Sequence, residues 1–274
     1  MASDYYTLMN EIVTRCHNSL SLIIVSFVCI FVICHLINLY VCGSKEIKCN
    51  QKSKVLVVIA HPDDETMFFG PAIVKLAKSC NSLNILCVTS GNYYGQGQVR
   101  KQELVKAVTY LGIPKGNVTI MDSSRFQDGD PKWEEERLSR IVLDHLEKLD
   151  CNIILTFDEY GISGHENHKS CFKALQYLYS NGFLPKDVQV FVLESVSIWR
   201  KYISWFDLSF SMVSSTYLFK STLSEVLSTY QAMRQHKSQL LWFRYLYLLF
   251  SRYIFINSFK RMPMPKIYVK KNRR

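Results

Sequence analysis

Lys54-Val55-Leu56-Val57-Val58-Ile59-Ala60-His61-Pro62-Asp63-Asp64-Glu65 decides the fold of this 274-residue chain. From Val55 to Ala60 the residues are apolar, mostly β-branched, and show no polar alternation. Such a run predicts a strand buried on both faces, as in a parallel sheet. The chain then turns polar without transition. In open parallel sheets ligands bind beyond the carboxyl ends of the strands, so His61 to Glu65 stand where such a fold keeps its chemistry.

Runs of the same kind recur at residues 83–89, 118–121, 152–157 and 188–193. Between them, stretches suited to helices cover roughly 66–80, 98–111, 132–149 and 165–180. The alternation predicts an α/β domain over residues 53–200, a Rossmann-like and mostly parallel sheet with helices on both faces.

Composition agrees with a packed domain. Hydrophobic residues make up 48% and charged residues 20% of the chain, which excludes intrinsic disorder. The net charge is +10, but eleven Lys and Arg follow Glu225 and no acid does, which leaves residues 1–225 at −1. The excess is a C-terminal feature, and a nucleic-acid binder is not expected. Nine scattered cysteines without a Cys-x-x-Cys pair exclude a zinc ribbon and fit a reducing compartment.

Residues 20–42 carry no Asp, Glu, Lys or Arg. As a helix they would span about 34 Å at about 1.5 Å per residue, enough to cross a membrane. The run is too long and starts too late for a cleaved signal peptide. Lys45, Lys48, Lys52 and Lys54 follow it, against one Arg before it, so the positive-inside rule places the C-terminal domain in the cytosol. The expected order is a short segment 1–19, a transmembrane helix 20–42, a basic linker 43–52, the catalytic domain 53–200 and a C-terminal region 201–274. The sequon at Asn117 would go unused on the cytosolic side.

Polar residues cluster after four of the expected strands: His61 to Glu65, Ser90 to Arg100, Arg125 to Gly129, and Asp158 to His168. His165 and His168 are three apart at the start of a helix and share a face. A catalytic zinc site takes three nitrogen or oxygen ligands and leaves one position open. Two loops here offer histidines and a carboxylate. The adjacent Asp63 and Asp64 allow one carboxylate to hold the ion while the other acts as a base.

Ala60-His61-Pro62-Asp63-Asp64-Glu65, together with Gly164-His165-Glu166-Asn167-His168, resembles the PIG-L/LmbE-like zinc-dependent deacetylases over roughly residues 53–200. The resemblance implies that His61, Asp64 and His168 hold Zn2+ or another divalent ion. It implies Asp63 as general base, and His165 as the group that stabilises the oxyanion or protonates the leaving amine. Arg100 and Asp128 match positions that contact the sugar; Glu65 and Asn167 would support the ligands. Thr156-Phe157-Asp158, with Gly161 to His168, looks like the eukaryotic version. That branch implies removal of the N-acetyl group from N-acetylglucosaminylphosphatidylinositol, the second step of GPI-anchor synthesis, at the cytosolic face of the endoplasmic reticulum. Some relatives have a tyrosine where this chain has Ser163; Tyr160 is a substitute to examine.

Other readings stay open on the residues alone: a deacetylase for another N-acetyl sugar, or a catalytically silent membrane-anchored subunit. Gly95-Gln96-Gly97-Gln98-Val99-Arg100 mimics a dinucleotide fingerprint, but Arg100 takes the place of the third glycine. The aromatic stretch 198–219 and the apolar stretch 240–259, with Arg244 and Arg252 embedded, suit helices lying in a membrane interface with basic side chains reaching lipid phosphates. The tail 260–274 is expected to be attracted to anionic lipid.

Overall fold

The computed structural model describes residues 2–41, 45–129 and 132–263, in two compact units that divide at Gly43 and Ser44. In the first, α1 (Ala2–Val41) is a single helix of 40 residues. Among the described residues no helix is long and apolar enough to cross a membrane. The expected span 20–42 reaches beyond them: Cys42 lies outside the described residues, as do the side chains of Phe31 and of residues 34–41.

The second unit is built on a seven-stranded sheet. Strands β1 (Lys54–Ile59), β2 (Ser82–Cys87), β3 (Val118–Ile120), β4 (Ile153–Phe157) and β5 (Gln189–Leu193) are the five expected from the apolar runs, and they are parallel. β6 (Tyr217–Lys220) and β7 (Ile256–Arg261) complete the order β3-β2-β1-β4-β5-β7-β6, with β7 antiparallel to both its neighbours. The chain moves outward from β1 to β3, then returns to β4 on the other side of β1. That reversal opens a crevice at the carboxyl ends of β1 and β4, the place where folds of this kind bind ligands.

The helices are α2 (Asp64–Met67), α3 (Gly70–Ser79), α4 (Gly97–Tyr110), α5 (Glu135–Lys148), α6 (Gly161–Gly164), α7 (Glu166–Ser180), α8 (Ile198–Tyr202), α9 (Leu208–Ser214), α10 (Leu223–Met233) and α11 (Trp242–Phe250). α5 packs on α7, and α10 on α3 and α4. Pro71 opens α3 at a position where its missing N–H costs nothing. A capping box between Thr222 and Glu225 starts α10. Val55 to Ile59 are wholly inaccessible, as a strand covered on both faces must be.

Two expectations need correction. Residue 200 is no seam: β6 and β7 come from the C-terminal region and hydrogen-bond into the same sheet. Nor does the 240–259 stretch lie wholly as interface helix; residues 242–250 form α11, and residues 256–259 enter β7. Arg252 is fully buried, with Nε 3.0 Å from Asp207 Oδ2 and Nη2 donating to Ser211 and Ser258 at 2.9 and 3.1 Å. It reaches no lipid, because its charge is spent inside the fold. Residues 264–274 of the expected lipid-attracted tail lie outside the described residues.

Candidate metal centre

The loop after β1 is folded by its own acids. Asp64 Oδ2 accepts the N–H groups of Ala60 and His61 at 3.0 and 2.8 Å, which fixes the turn. Asp63 has φ 119°, a backbone conformation that non-glycine residues seldom adopt and that surrounding structure must impose. Its N–H donates to Glu65 Oε2 at 3.0 Å, and its carbonyl accepts from Thr66 and Met67, starting α2. Strain of this kind clusters at functional sites.

The loop after β4 is organised by Asp158. Its carboxylate accepts the N–H groups of Tyr160, Gly161 and Ser195 and the hydroxyl of Ser195, at 2.7 to 3.1 Å. Gly161 has φ 68°, and a Cβ there would stand 2.8 Å from His168 Cβ, so only glycine lets α7 approach this closely. The Gly161 carbonyl lies 3.0 Å from His168 Nδ1, and the Phe157 ring stacks on the imidazole at 4.1 Å. With a proton on Nδ1, His168 presents a bare Nε2 to the crevice. Metal-ligating histidines are oriented from behind in this way.

The two loops converge. Potential ligand atoms of His61, Asp64 and His168 all lie within 4.8 Å of one another, and all three side chains are buried. His168 Nε2 is 3.2 Å from Asp64 Oδ1, and His61 Nδ1 is 3.6 Å from Asp64 Oδ2. Two imidazole nitrogens and one carboxylate oxygen suit zinc or another divalent ion. A second group, His61 with Asp128 and His165, meets the same distance limit but is only partly buried. His61 belongs to both. The first group carries the better support, since both Asp64 and His168 are held from behind.

The charges in the crevice point the same way. Burial disfavours a charged His61, yet hydrogen bonds to Asp128 and Asp64 overcome it and lift its pKa to about 10. Burial likewise opposes ionisation of Asp64, but His168 and His61 hold its carboxyl well below the usual range. These acids draw positive charge onto His61, a demand that a bound cation meets directly. Asp63 is pushed up, chiefly by burial, with Arg244 and Arg100 pulling against it. His165 falls to about 4, through burial and then the charges of His61 and His168. A protonated His165, the expected partner of an oxyanion, is therefore disfavoured here. Its Nδ1 instead accepts the Asn167 N–H at 3.2 Å, capping α7 and leaving the ring proton on Nε2.

Both residues expected to meet the sugar are present. Arg100 Nη2 donates to the Pro62 carbonyl at 2.7 Å and Nη1 to the Gly91 carbonyl at 3.0 Å, and the guanidinium lies 3.4 Å from both Asp63 and Asp128. It braces the strained loop as well as lining the crevice. Asp128 Oδ1 is 3.0 Å from His61 Nε2. Asn167 Oδ1 lies 3.0 Å from the same nitrogen and accepts the Gly129 N–H at 3.2 Å. Ser163 lines the cavity, whereas Tyr160 is exposed and stands outside the lining.

Three contributors escaped the sequence reading. Arg244 Nη2, from α11, pairs with Asp63 Oδ2 at 3.3 Å, and Tyr247 from the same helix donates its hydroxyl to the Met67 carbonyl at 2.9 Å. His236 pairs with Glu65 beneath the loop. An arginine inside an apolar stretch was the visible signal for Arg244; nothing local marked His236. Arg244 and Tyr247 help line a cavity of about 810 Å³ whose lining includes the buried His61, Asp64 and His168 and the half-exposed Tyr202, Phe243 and Phe250.

Residues 56–179 match the family described as PIG-L: GlcNAc-PI de-N-acetylase. The chain is 45% identical over 208 residues to an N-acetylglucosaminyl-phosphatidylinositol de-N-acetylase of Bos taurus, covering 75% of this chain and 82% of the relative. It is 38% identical over 216 residues to a probable enzyme of the same name from Schizosaccharomyces pombe, covering 76% and 86%. Among solved structures it is similar in fold to an N,N'-diacetylchitobiose deacetylase from Pyrococcus horikoshii, with a TM-score of 0.56, 15% identity, and 77% and 84% of the two chains covered. With its two loops converging as described and 45% identity to a relative over three quarters of its length, the chain belongs to the PIG-L family.

Proposed function

We propose that this protein hydrolyses the N-acetyl amide of N-acetylglucosaminylphosphatidylinositol, giving glucosaminylphosphatidylinositol and acetate, in the second step of GPI-anchor biosynthesis. One observation carries the reading: His61, Asp64 and His168 converge at the buried end of a cavity, with the Asp63 carboxylate beside them, in a chain so similar to named GlcNAc-PI de-N-acetylases.

His61, Asp64 and His168 would hold the ion, zinc being the best match to the donor set. Such an ion supplies Lewis acidity and a water acidified toward a pKa of about 7. The chain's own groups do the rest. Asp63, held by Arg100 and Arg244, accepts the proton of the attacking water as it adds to the amide carbon. The Nε2–H of His165 faces the oxygen that gains charge, a donor fixed in place before the reaction. Asp63 returns that proton to the departing amine, and acetate keeps the oxygen from water. Arg100 and Asp128 orient the sugar from the half-buried wall of the cavity.

We also propose a membrane setting. Residues 20–42 would anchor the protein in the endoplasmic reticulum membrane, with the catalytic unit on the cytosolic side, as supported by their freedom from charge and the four lysines that follow. Trp199, Trp242, Tyr245 and Leu249, all exposed, would lie against the lipid. Aromatic side chains are at home in that layer.

The test is acetate release from GlcNAc-PI by the full chain, with and without chelator, beside soluble N-acetyl sugars. Release that stops on chelation and returns with zinc supports the reading. Absence of release from metal-loaded protein would overturn it, and a preference for a soluble sugar would move it to another deacetylase.

A further inference from the structure

Among the described residues, Lys201 is the one buried lysine, 8% exposed, and it lines the same cavity as the candidate ligands. It stands on α8 next to Tyr202, with Nζ 5.6 Å from the centre of that ring. Other buried cations of the fold have carboxylates: Arg100 has Asp63 and Asp128, and Arg252 has Asp207. Lys201 has none among the described residues, and burial is the sole influence that shifts its pKa, downward. An unpaired charge removed from water is costly, and such groups are normally paired. A cation kept in this state at the wall of a binding cavity calls for an anion brought by the ligand.

We propose that Lys201 binds a phosphodiester, that of the lipid-linked sugar. The inference rests on the proposed substrate, in which the phosphodiester is the one anionic group between the neutral amide and the acyl chains. The order of chemistry along the cavity fits. The amide belongs at the buried histidines and Asp64, and the acyl chains belong at the exposed aromatic end. Lys201 is itself buried and adjoins half-exposed Tyr202 in the lining of that same cavity, as a group passing from a buried to an exposed region requires. The two arginines in the lining, Arg100 and Arg244, are already engaged by Asp63 and Asp128. Tyr202 also offers its ring to the ammonium, which keeps the charge in place while the site is empty of substrate.

The test compares Lys201→Met and Lys201→Arg with the unaltered full-length protein in neutral detergent micelles. The substrates are GlcNAc-PI and phosphate-free GlcNAc-inositol. The expected result is a rise of about tenfold or more in KM for GlcNAc-PI in Lys201→Met, in line with the loss of a charged hydrogen bond. The loss on GlcNAc-PI should exceed that on GlcNAc-inositol by the same factor, and Lys201→Arg should recover most of it. In parallel, calorimetry with glycerophosphoinositol should show binding that Lys201→Met weakens, a readout that needs no turnover. Equal losses on both substrates would assign Lys201 a structural role and overturn the proposal. So would an effect seen only on vesicles containing anionic lipid, which would mean attraction to the membrane surface. If the unaltered protein binds glycerophosphoinositol through Lys201 but releases no acetate from GlcNAc-PI, the subsite stands and the proposed reaction falls.

Discussion

His236 Nε2 lies 2.7 Å from Glu65 Oε1, and neither side chain touches solvent. Glu65 uses its other oxygen to accept the N–H of Asp63, whose backbone is strained. The turn after α10 therefore props the loop that carries the candidate base. Breaking a buried pair by deleting one partner typically costs about 3–5 kcal/mol, because the other charge is left alone. His236→Ala should lose stability on that scale in chemical denaturation, with activity falling further than the folded fraction alone explains.

The same pair gives a pH signature. Burial opposes a charged His236, but Glu65, with Asp63 and Glu103 behind it, lifts its pKa above the ordinary 6.5. A group whose folded pKa is raised contributes stability that is complete below its unfolded pKa and is lost as pH climbs through the folded value. The stability gap between the unaltered protein and His236→Gln should thus be widest below pH 6.5 and narrow as the solution becomes alkaline. A gap that widened with rising pH would show that the pair is held as neutral histidine instead.

Asp63→Asn separates base from ligand. Asparagine tolerates a left-handed backbone better than most residues, so the strained loop should survive. It keeps an accepting oxygen for one of Arg100 and Arg244, which Asp63 meets through separate oxygens, but cannot take a proton. Acetate release should fall by roughly 10²–10⁴-fold, the usual worth of general base catalysis, while metal content by elemental analysis stays near that of the unaltered protein. Full activity in a metal-replete Asp63→Asn protein would remove Asp63 from the base role.

Metal removal should register in stability as well as in rate. A ligand that binds only the folded state adds about 2.7 kcal/mol at a hundred times its dissociation constant. Chelation should therefore lower Tm, and zinc should restore it. In His168→Ala one of three ligands is gone, and Tm should respond little to either treatment. A Tm of His168→Ala that tracked chelator and zinc as the unaltered protein does would direct the search to the His61, Asp128 and His165 group.

The legibility of this fold followed the distance over which its interactions act. β1 and β4 read directly from Val55 to Ile59 and Ile153 to Phe157, since a strand covered on both faces is a nearly continuous apolar run. β7 did not. Its Asn257 and Ser258 look like loop residues, yet both are buried. Asn257 donates to the Phe68 carbonyl at 2.7 Å and accepts the Ala72 N–H at 3.1 Å, and Ser258 meets Arg252. Partners from distant segments make those polar residues fit a core, and no local pattern announces them. The site divides the same way. His61, Asp63, Asp64, His165 and His168 sit in two short motifs, whereas His236 and Arg244 reach the first motif only through the fold of the C-terminal third.

That folding of the C-terminal third also determines how membrane contact must be tested. Truncation after Tyr230 would strip β7 from the sheet and expose Leu193, which pairs with Phe259 of that strand, so a loss of activity there would report unfolding. Substitution on the surface avoids this. Trp242, Tyr245 and Leu249 recur at helical spacing on one face of α11, with Trp242 75% exposed, while Tyr247 and Leu248 are buried on the side that holds the helix in place. Exposed positions of this kind usually shift stability by no more than about 0.5 kcal/mol, so Trp242→Glu with Leu249→Glu should keep Tm close to that of the unaltered protein. Two carboxylates on that face would be repelled by an anionic bilayer and would remove apolar area from its interface. Turnover of GlcNAc-PI presented in anionic vesicles should fall several-fold more than turnover of the same lipid in neutral micelles. Equal effects in vesicles and micelles would mean that this face of α11 does not meet lipid.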